Sequence, residues 1–275
     1  MKTIIIPTDF SGTATNAMNY GLDMAIAIHA DVILFHVYNV PVGVTDVPVM
    51  LVSVEELEKN AQAQMASLKS KVDHITSGLI KITTETQLGD TVDELEKLCD
   101  RVQPFAVIMA TRNASGMERA LFGSTTMSAV DRLKWPVIAV PPGKEYGKGI
   151  SKIGFACDLE DVTGTTPAEV IRDIVQRFNA TLDVLNVSRD SGQEEIETYG
   201  EFVLLKSMLA EIKPTYAFIK NKDVEDGINE FAETNNLDLV IAVPKKHQLL
   251  DRFFKKRASK QLVFHSHVPV MCIHV

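Results

Sequence analysis

The chain repeats itself, and that constrains its fold more than any other feature. KTIIIPTDFSGTA from Lys2 aligns with SKIGFACDLEDVT from Ser151, which sets Asp9 against Asp158 at an offset of 149. IHADVILFHV from Ile28 aligns with FNATLDVLNV from Phe178 at an offset of 150. Further on, PFAVIMA from Pro104 matches LDLVIAV from Leu237, and WPVIAV from Trp135 matches VPVMCIHV from Val268, both at 133. The order is kept, and one loop is shorter in the second half. Self-similarity on this scale indicates a duplicated domain, and 275 residues suit two compact units. The break falls in PPGKEYGKG, which is rich in Pro and Gly and has no periodicity. The expected units are residues 1–142 and 151–275, with a linker at 143–150.

Each half alternates strands and helices. IIIPTD reads as a short buried strand ending at a carboxylate, with DVILFHV and TLDVLNV as the next strands of the two halves. Met18, Leu22, Ala25 and Ile26 keep helical spacing in half one, as do Ile171, Ile174, Val175 and Phe178 in half two. Thr166, Pro167 and Glu169 predict a cap and start for the second of these helices. Long polar helices are expected over 54–72 and 194–209, strands over 80–87 and 215–219, and short helices over 92–100 and 225–234. AVIMA, PVIAV, LVIAV and PVMCI are apolar without alternation, as in strands covered on both faces of a parallel sheet. The expected fold is α/β: two tandem, open, doubly wound domains, each with a five-stranded parallel sheet flanked by helices.

Charge and cysteines narrow the class. With 36 acidic against 28 basic residues the net charge is −8, so general nucleic-acid binding is not expected. Ile4 to Ile6 is too short for a signal-peptide core, and no window approaches the length of a membrane helix. Cys99, Cys157 and Cys272 are odd in number and lack zinc spacing, so buried thiols and a cytoplasmic location are expected.

In open α/β sheets ligands bind beyond the carboxyl ends of the strands, where strand order reverses. In half one those ends are Pro7, Thr8 and Asp9, then His36 and Val37, then Met109 and Ala110. The stretch 109–130 leaves a strand, crosses a small-residue loop and enters a helix at Gly123-Ser124-Thr125-Thr126. Free amides, hydroxyls and a positive dipole end at such a start make a physical phosphate site, to which Arg112 adds charge.

These features together make both halves resemble universal stress protein domains in tandem. Nucleotide-binding members of that family carry G-x2-G-x9-G-[ST] after the fourth strand. Here the aligned residues are Ala110-x2-Asn113-x9-Gly123-Ser124, so the last pair matches and the first two glycines do not. Asp9, at the position that faces adenine in the family, matches in place, as does Val37. Asn113 is the best non-glycine residue for a left-handed backbone. If Ala110 needed positive φ it would cost about 1–2 kcal/mol; otherwise its methyl matters only sterically. The resemblance implies an adenine nucleotide, ATP or AMP, at Pro7, Thr8, Asp9, Val37, Met109, Ala110, Arg112, Asn113, Gly123, Ser124, Thr125 and Thr126. It implies no catalytic residues and no metal except Mg accompanying nucleotide. It also implies pairing through sheet edges, which would make the duplication an internal pseudo-dimer, with homodimerisation and the protein partner open.

Half two departs further. Val243, Lys246, Lys256 and Arg257 stand at the four motif positions. Its cluster, which includes Lys246, Lys255, Lys256 and Arg257, reads either as an anion-binding surface or as a solvated helix face. His265, His267, Cys272 and His274 lie near one another, but alternate residues of a terminal strand pack inward, so no metal site is expected. His36 reads as a hydrogen-bonded structural histidine, Asp158 as a turn or cap residue, and the apolar segment 50–54 as a packing or dimer surface. No P-loop, catalytic triad or adenylyl-transfer motif is present. The expected function is a non-enzymatic stress-response protein that senses an adenine nucleotide in half one, with slow ATP hydrolysis there left open. The alternative is a nucleotide-independent interaction scaffold with both sites degenerate.

Overall fold

A computed structural model of the chain describes residues 2–40, 53–111, 124–188, 195–244, 262 and 266–274. In half one, β1 (Thr3–Pro7), β2 (Asp31–Tyr38), β3 (Ile82–Leu88), β4 (Ala106–Ala110) and β5 (Val137–Val140) alternate with α1 (Gly12–Ile28), α2 (Val54–Ile75), α3 (Thr91–Val102) and α4 (Ser124–Arg132). In half two, β6 (Lys152–Ala156), β7 (Thr181–Ser188), β8 (Thr215–Lys220), β9 (Leu239–Ala242) and β10 (Val270–Cys272) alternate with α5 (Val162–Thr165), α6 (Ala168–Phe178), α7 (Glu195–Met208) and α8 (Val224–Thr234). β6 and β7 begin where offsets of 149 and 150 place copies of β1 and β2, and the offset of 133 applies from β8 onward. The shortening lies between the second and third strands of each half. Part of it is helix rather than loop, because α7 has 14 residues against 22 in α2.

The two expected parallel sheets are present and pair through their edges, as the resemblance implies, into one sheet. The strand order is β3-β2-β1-β4-β5-β10-β9-β6-β7-β8. Pairing is parallel within each half and antiparallel where Val270, Met271 and Cys272 of β10 meet Ala139, Ile138 and Val137 of β5. Side chains alternate across the sheet. Ile4, Ile6, Ile108, Ile138 and Met271 therefore join one core beneath α1, α2, α6 and α7. Ile5, Val107, Met109, Val137 and Cys272 join the other, with α3, α4 and α8. Each core crosses the junction, so each half completes the other's burial, at about 1.5–3 kcal/mol per large apolar side chain.

The helix ends repeat along with the strands. Ser11 caps α1 by accepting the Ala14 amide, and Asp90 and Asp223 cap α3 and α8 in the same manner. Past the C-termini, His29 and Asn179 turn left-handed at φ 53° and 49°, and Gln103 and Asn236 at φ 51° and 54°. Glycine is the usual residue there, so these stops carry no glycine signal in the sequence.

One expected start is not found. Thr166 does not cap α6; its amide bonds to the Val162 carbonyl, ending α5, and Pro167 precedes α6 without a side-chain cap. Proline drives the residue before it out of the helical region, and Thr166 sits at φ −107°, ψ 109°. The single helix α1 thus has a broken copy, α5 plus α6. The segment between the halves is packed rather than loose. Tyr146 and Ile150 are buried, Tyr146 sets its ring edge on Tyr20 at 5.3 Å, and Asn16 Nδ2 donates to the Pro141 and Lys144 carbonyls. Lys2 and Arg177 both lie over the Phe105 ring, adding cation–π contact across the halves.

Candidate functional site

The mouth of half one lies at a reversal of strand order. From β1 the chain steps outward to β2 and β3, then returns to add β4 and β5 on β1's other side. Nothing in the sheet bridges the strand ends at such a point, which leaves a crevice there. Pro7 pairs with Phe35, so Val37 stands two residues further along the neighbouring strand. Ile5 pairs with Val107, so continuing the register sets Met109 level with Pro7 and Ala110 level with Thr8. The first turn of α4, Ser124 to Thr126, is anchored to the same edge because Thr126 Oγ1 donates to the Ala110 carbonyl at 2.8 Å. Pro7, Thr8, Asp9, Val37, Met109, Ala110, Ser124, Thr125 and Thr126 therefore gather at one end of the sheet. Arg112, Asn113 and Gly123 lie outside the described residues.

The gathered residues divide by what their side chains already do. Thr8 is buried, and its hydroxyl accepts the Phe10 amide at 3.0 Å; Thr126 is buried and bound to Ala110. Both hold the wall. Asp9 is exposed at the rim, where Oδ1 accepts the Ser11 amide at 3.0 Å and closes a tight turn. Ser124 is exposed and Thr125 half-buried, at the positive end of α4. Ala110 has extended backbone and is not left-handed, so its departure from glycine stores no backbone strain and adds only a methyl group.

Phe10 escaped the sequence reading. It sits left-handed at φ 61° and packs on the His36 ring at 4.6 Å between centroids. His36 is hydrogen-bonded, as expected: Nδ1 lies 2.8 Å from the Thr8 carbonyl, an acceptor only, so Nδ1 carries the proton. Half two repeats the arrangement with other residues. Leu159 is left-handed at φ 55°, and Asn186 Nδ2 donates to the Cys157 carbonyl at 3.0 Å. An imidazole and an amide thus fasten the same two strand ends. The repeat offset, which pairs His36 with Asn186, was the available signal: both can donate.

The rest of half two offers less. Asp158 accepts the Glu160 amide at 3.1 Å, a turn contact. Lys246, Lys255, Lys256 and Arg257 lie outside the described residues, as do residues 50–52 of the apolar segment and His265. His274 Nε2 donates to the Val130 carbonyl at the end of α4, and His267 faces Glu233 at 3.8 Å. Cys99 and Cys272 are buried, and burial pushes each thiol up to about 12; Cys157 is only half-buried because it follows the last residue of β6.

Comparison with known proteins gives a consistent result. The profile of the universal stress protein family matches residues 1–141 and again 150–274. A universal stress protein of Methanocaldococcus jannaschii is 25% identical over 146 residues, covering 52% of this chain and 84% of that protein. The crystal structure of a universal stress protein from Archaeoglobus fulgidus superposes with a TM-score of 0.73 at 16% identity, covering 99% of this chain and 98% of that one. A structure from Pseudomonas aeruginosa described as a putative universal stress protein gives 0.65 at 10% identity, covering 100% and 93%. At these identities the two structures speak for the fold.

Proposed function

The chain belongs to the universal stress protein family, and on that footing we propose that it is a non-enzymatic stress-response protein whose first half receives an adenine nucleotide. The observation that carries this reading is the convergence at the β1–β4 reversal of exposed Asp9, half-buried Val37 and the first turn of α4. In this reading a purine lies against the strand ends and its phosphates face the amides and hydroxyls that begin at Ser124. Extended backbone at Ala110 supports the reading, since the lost glycine costs space alone. The proposed units are 1–142 and 151–275, and three cysteines, odd in number and without zinc spacing, fit a cytoplasmic location. Signalling through residues 112–123, which lie outside the described residues, requires two states of different nucleotide affinity, since a ligand shifts an equilibrium only through such a difference.

Titration calorimetry of the full chain with ATP, ADP and AMP tests this. Binding of at least one is expected, with affinity falling about tenfold or more in Asp9→Ala and in Gly123→Val, a loss of about 1.4 kcal/mol. Binding unchanged by both substitutions would move the site elsewhere. Absence of heat with all three nucleotides would leave the second reading, a nucleotide-independent interaction module. That reading is favoured by the Ala110 methyl and by the replaced motif of half two.

A further inference from the structure

The helix that opens the half-one mouth is held at its far end by half two. Thr126 fixes the first turn of α4 at Ala110. One anchor leaves a helix free to pivot, so the aim of its first amides needs a second anchor along the axis. α4 has nine residues, a length of about 13 Å, and its last turn is a long lever. The last carbonyls of a helix take partners from beyond it. The Ala129 carbonyl accepts the Leu133 amide at 2.9 Å, and the Val130 carbonyl accepts His274 Nε2. A carbonyl accepts only, so Nε2 carries the proton. Arg132 reaches Asp93 and Glu96 of α3 at the same end, but its side chain is half-exposed, and exposed ion pairs hold weakly.

The antiparallel joint puts His274 there. β10 runs against β5 with Cys272 on Val137, so the residues after Cys272 reach the end of β5 at which the chain arrives from α4. The repeat gives this contact no counterpart. At the offset of 133, Pro141 stands where half two has His274, and proline has neither a side-chain donor nor an amide hydrogen. Two halves related by simple duplication would exchange the bond. Here it runs from the half whose motif is replaced to the half that keeps Gly123-Ser124. We infer, resting on the nucleotide reading above, that His274 is a positioning residue for the half-one site. It sets the direction of α4, and through α4 the aim of the amides and hydroxyls of Ser124 to Thr126. Half two thus completes a phosphate-binding turn of its neighbour while its own motif is lost.

Three forms of the full chain test this: wild type, His274→Leu, and His274→Gln, whose side-chain amide returns a donor at the reach of Nε2. Amide hydrogen exchange over residues 128–132 reads the helix without nucleotide, because those amides bond to the carbonyls of 124–128. In His274→Leu these amides are expected to exchange about three- to tenfold faster, with α3 and α8 unchanged, and calorimetry is expected to show binding of ATP, ADP or AMP weakened by a similar factor. His274→Gln is expected to restore both. Unchanged exchange over 128–132 in His274→Leu would overturn the inference. So would an equal rise in α3 and α8, faster exchange with unchanged nucleotide affinity, or no restoration by His274→Gln. If wild type binds none of the three nucleotides, the nucleotide reading fails separately. A local change in exchange that His274→Gln reverses then still upholds His274 as the residue that positions α4, and its absence overturns that as well.

Discussion

Substituting Met271 by Ala tests whether the two halves are one cooperative body. Met271 is fully buried, pairs with Ile138 of β5 on one side and Ile241 of β9 on the other, and shares one core with both. Truncation removes the transfer energy of the lost atoms and leaves a cavity that a strand clamped on both sides cannot collapse, for a cost of about 2–5 kcal/mol. At about 2–4 °C per kcal/mol for a chain of this size, the midpoint should fall by roughly 6–12 °C for a loss near 3 kcal/mol. The assay uses the sole tryptophan, Trp135, which precedes β5 in half one, whereas the substitution is in half two. Trp135 fluorescence and far-ultraviolet circular dichroism should shift together in urea and in heat. If the fluorescence midpoint stays at the wild-type value while the dichroism curve splits in two, the sheet does not couple the halves and the reasoning fails.

Two further outcomes follow from the same geometry. Asn186→Leu should destabilise by about 0.5–1.5 kcal/mol through loss of the bond to the Cys157 carbonyl. Asn186→His should lose less, since His36 makes the equivalent bond to Thr8; equal urea midpoints for the two variants would refute the equivalence. Burial raises Cys99 and Cys272 from 9.0 to about 12, so the folded state binds these protons more tightly than the unfolded state does. Their contribution is complete below pH 9.0 and is lost as pH climbs toward about 12. Urea stability should therefore fall on the alkaline side, and more gently in Cys272→Ala; an unchanged slope would count against the assignment.

The alternation of apolar strands with helices was legible because burial on both faces of a parallel sheet leaves uninterrupted runs such as IIIP and AVIM. The duplication was legible because strand lengths and spacing repeat, and Asp9 and Val37 could be named as strand-end residues for the same reason. What misled was local chemistry with two solutions. Thr166-Pro167 has the form of a helix start, but α5 precedes it, and the proline divides one helix into two. The left-handed stops at His29, Gln103 and Asn236 gave no signal, because none is glycine, and each amide still closes its helix on a carbonyl three or four residues back.

Sequence alone, through period and repetition, determined that there are two βα units and which strand ends crowd each reversal of order. Only the tertiary structure decided that β5 and β10 join edge to edge, making two sheets one. Three residues of β10 carry no mark of orientation, and an antiparallel neighbour satisfies their backbone as well as a parallel one. The choice rests on the two cores closing over the junction, a long-range matter that no local pattern records. The same holds for Thr8 and Thr126. As residue types they could serve a ligand, and it is burial and their bonds to Phe10 and Ala110 that make them the wall of the crevice.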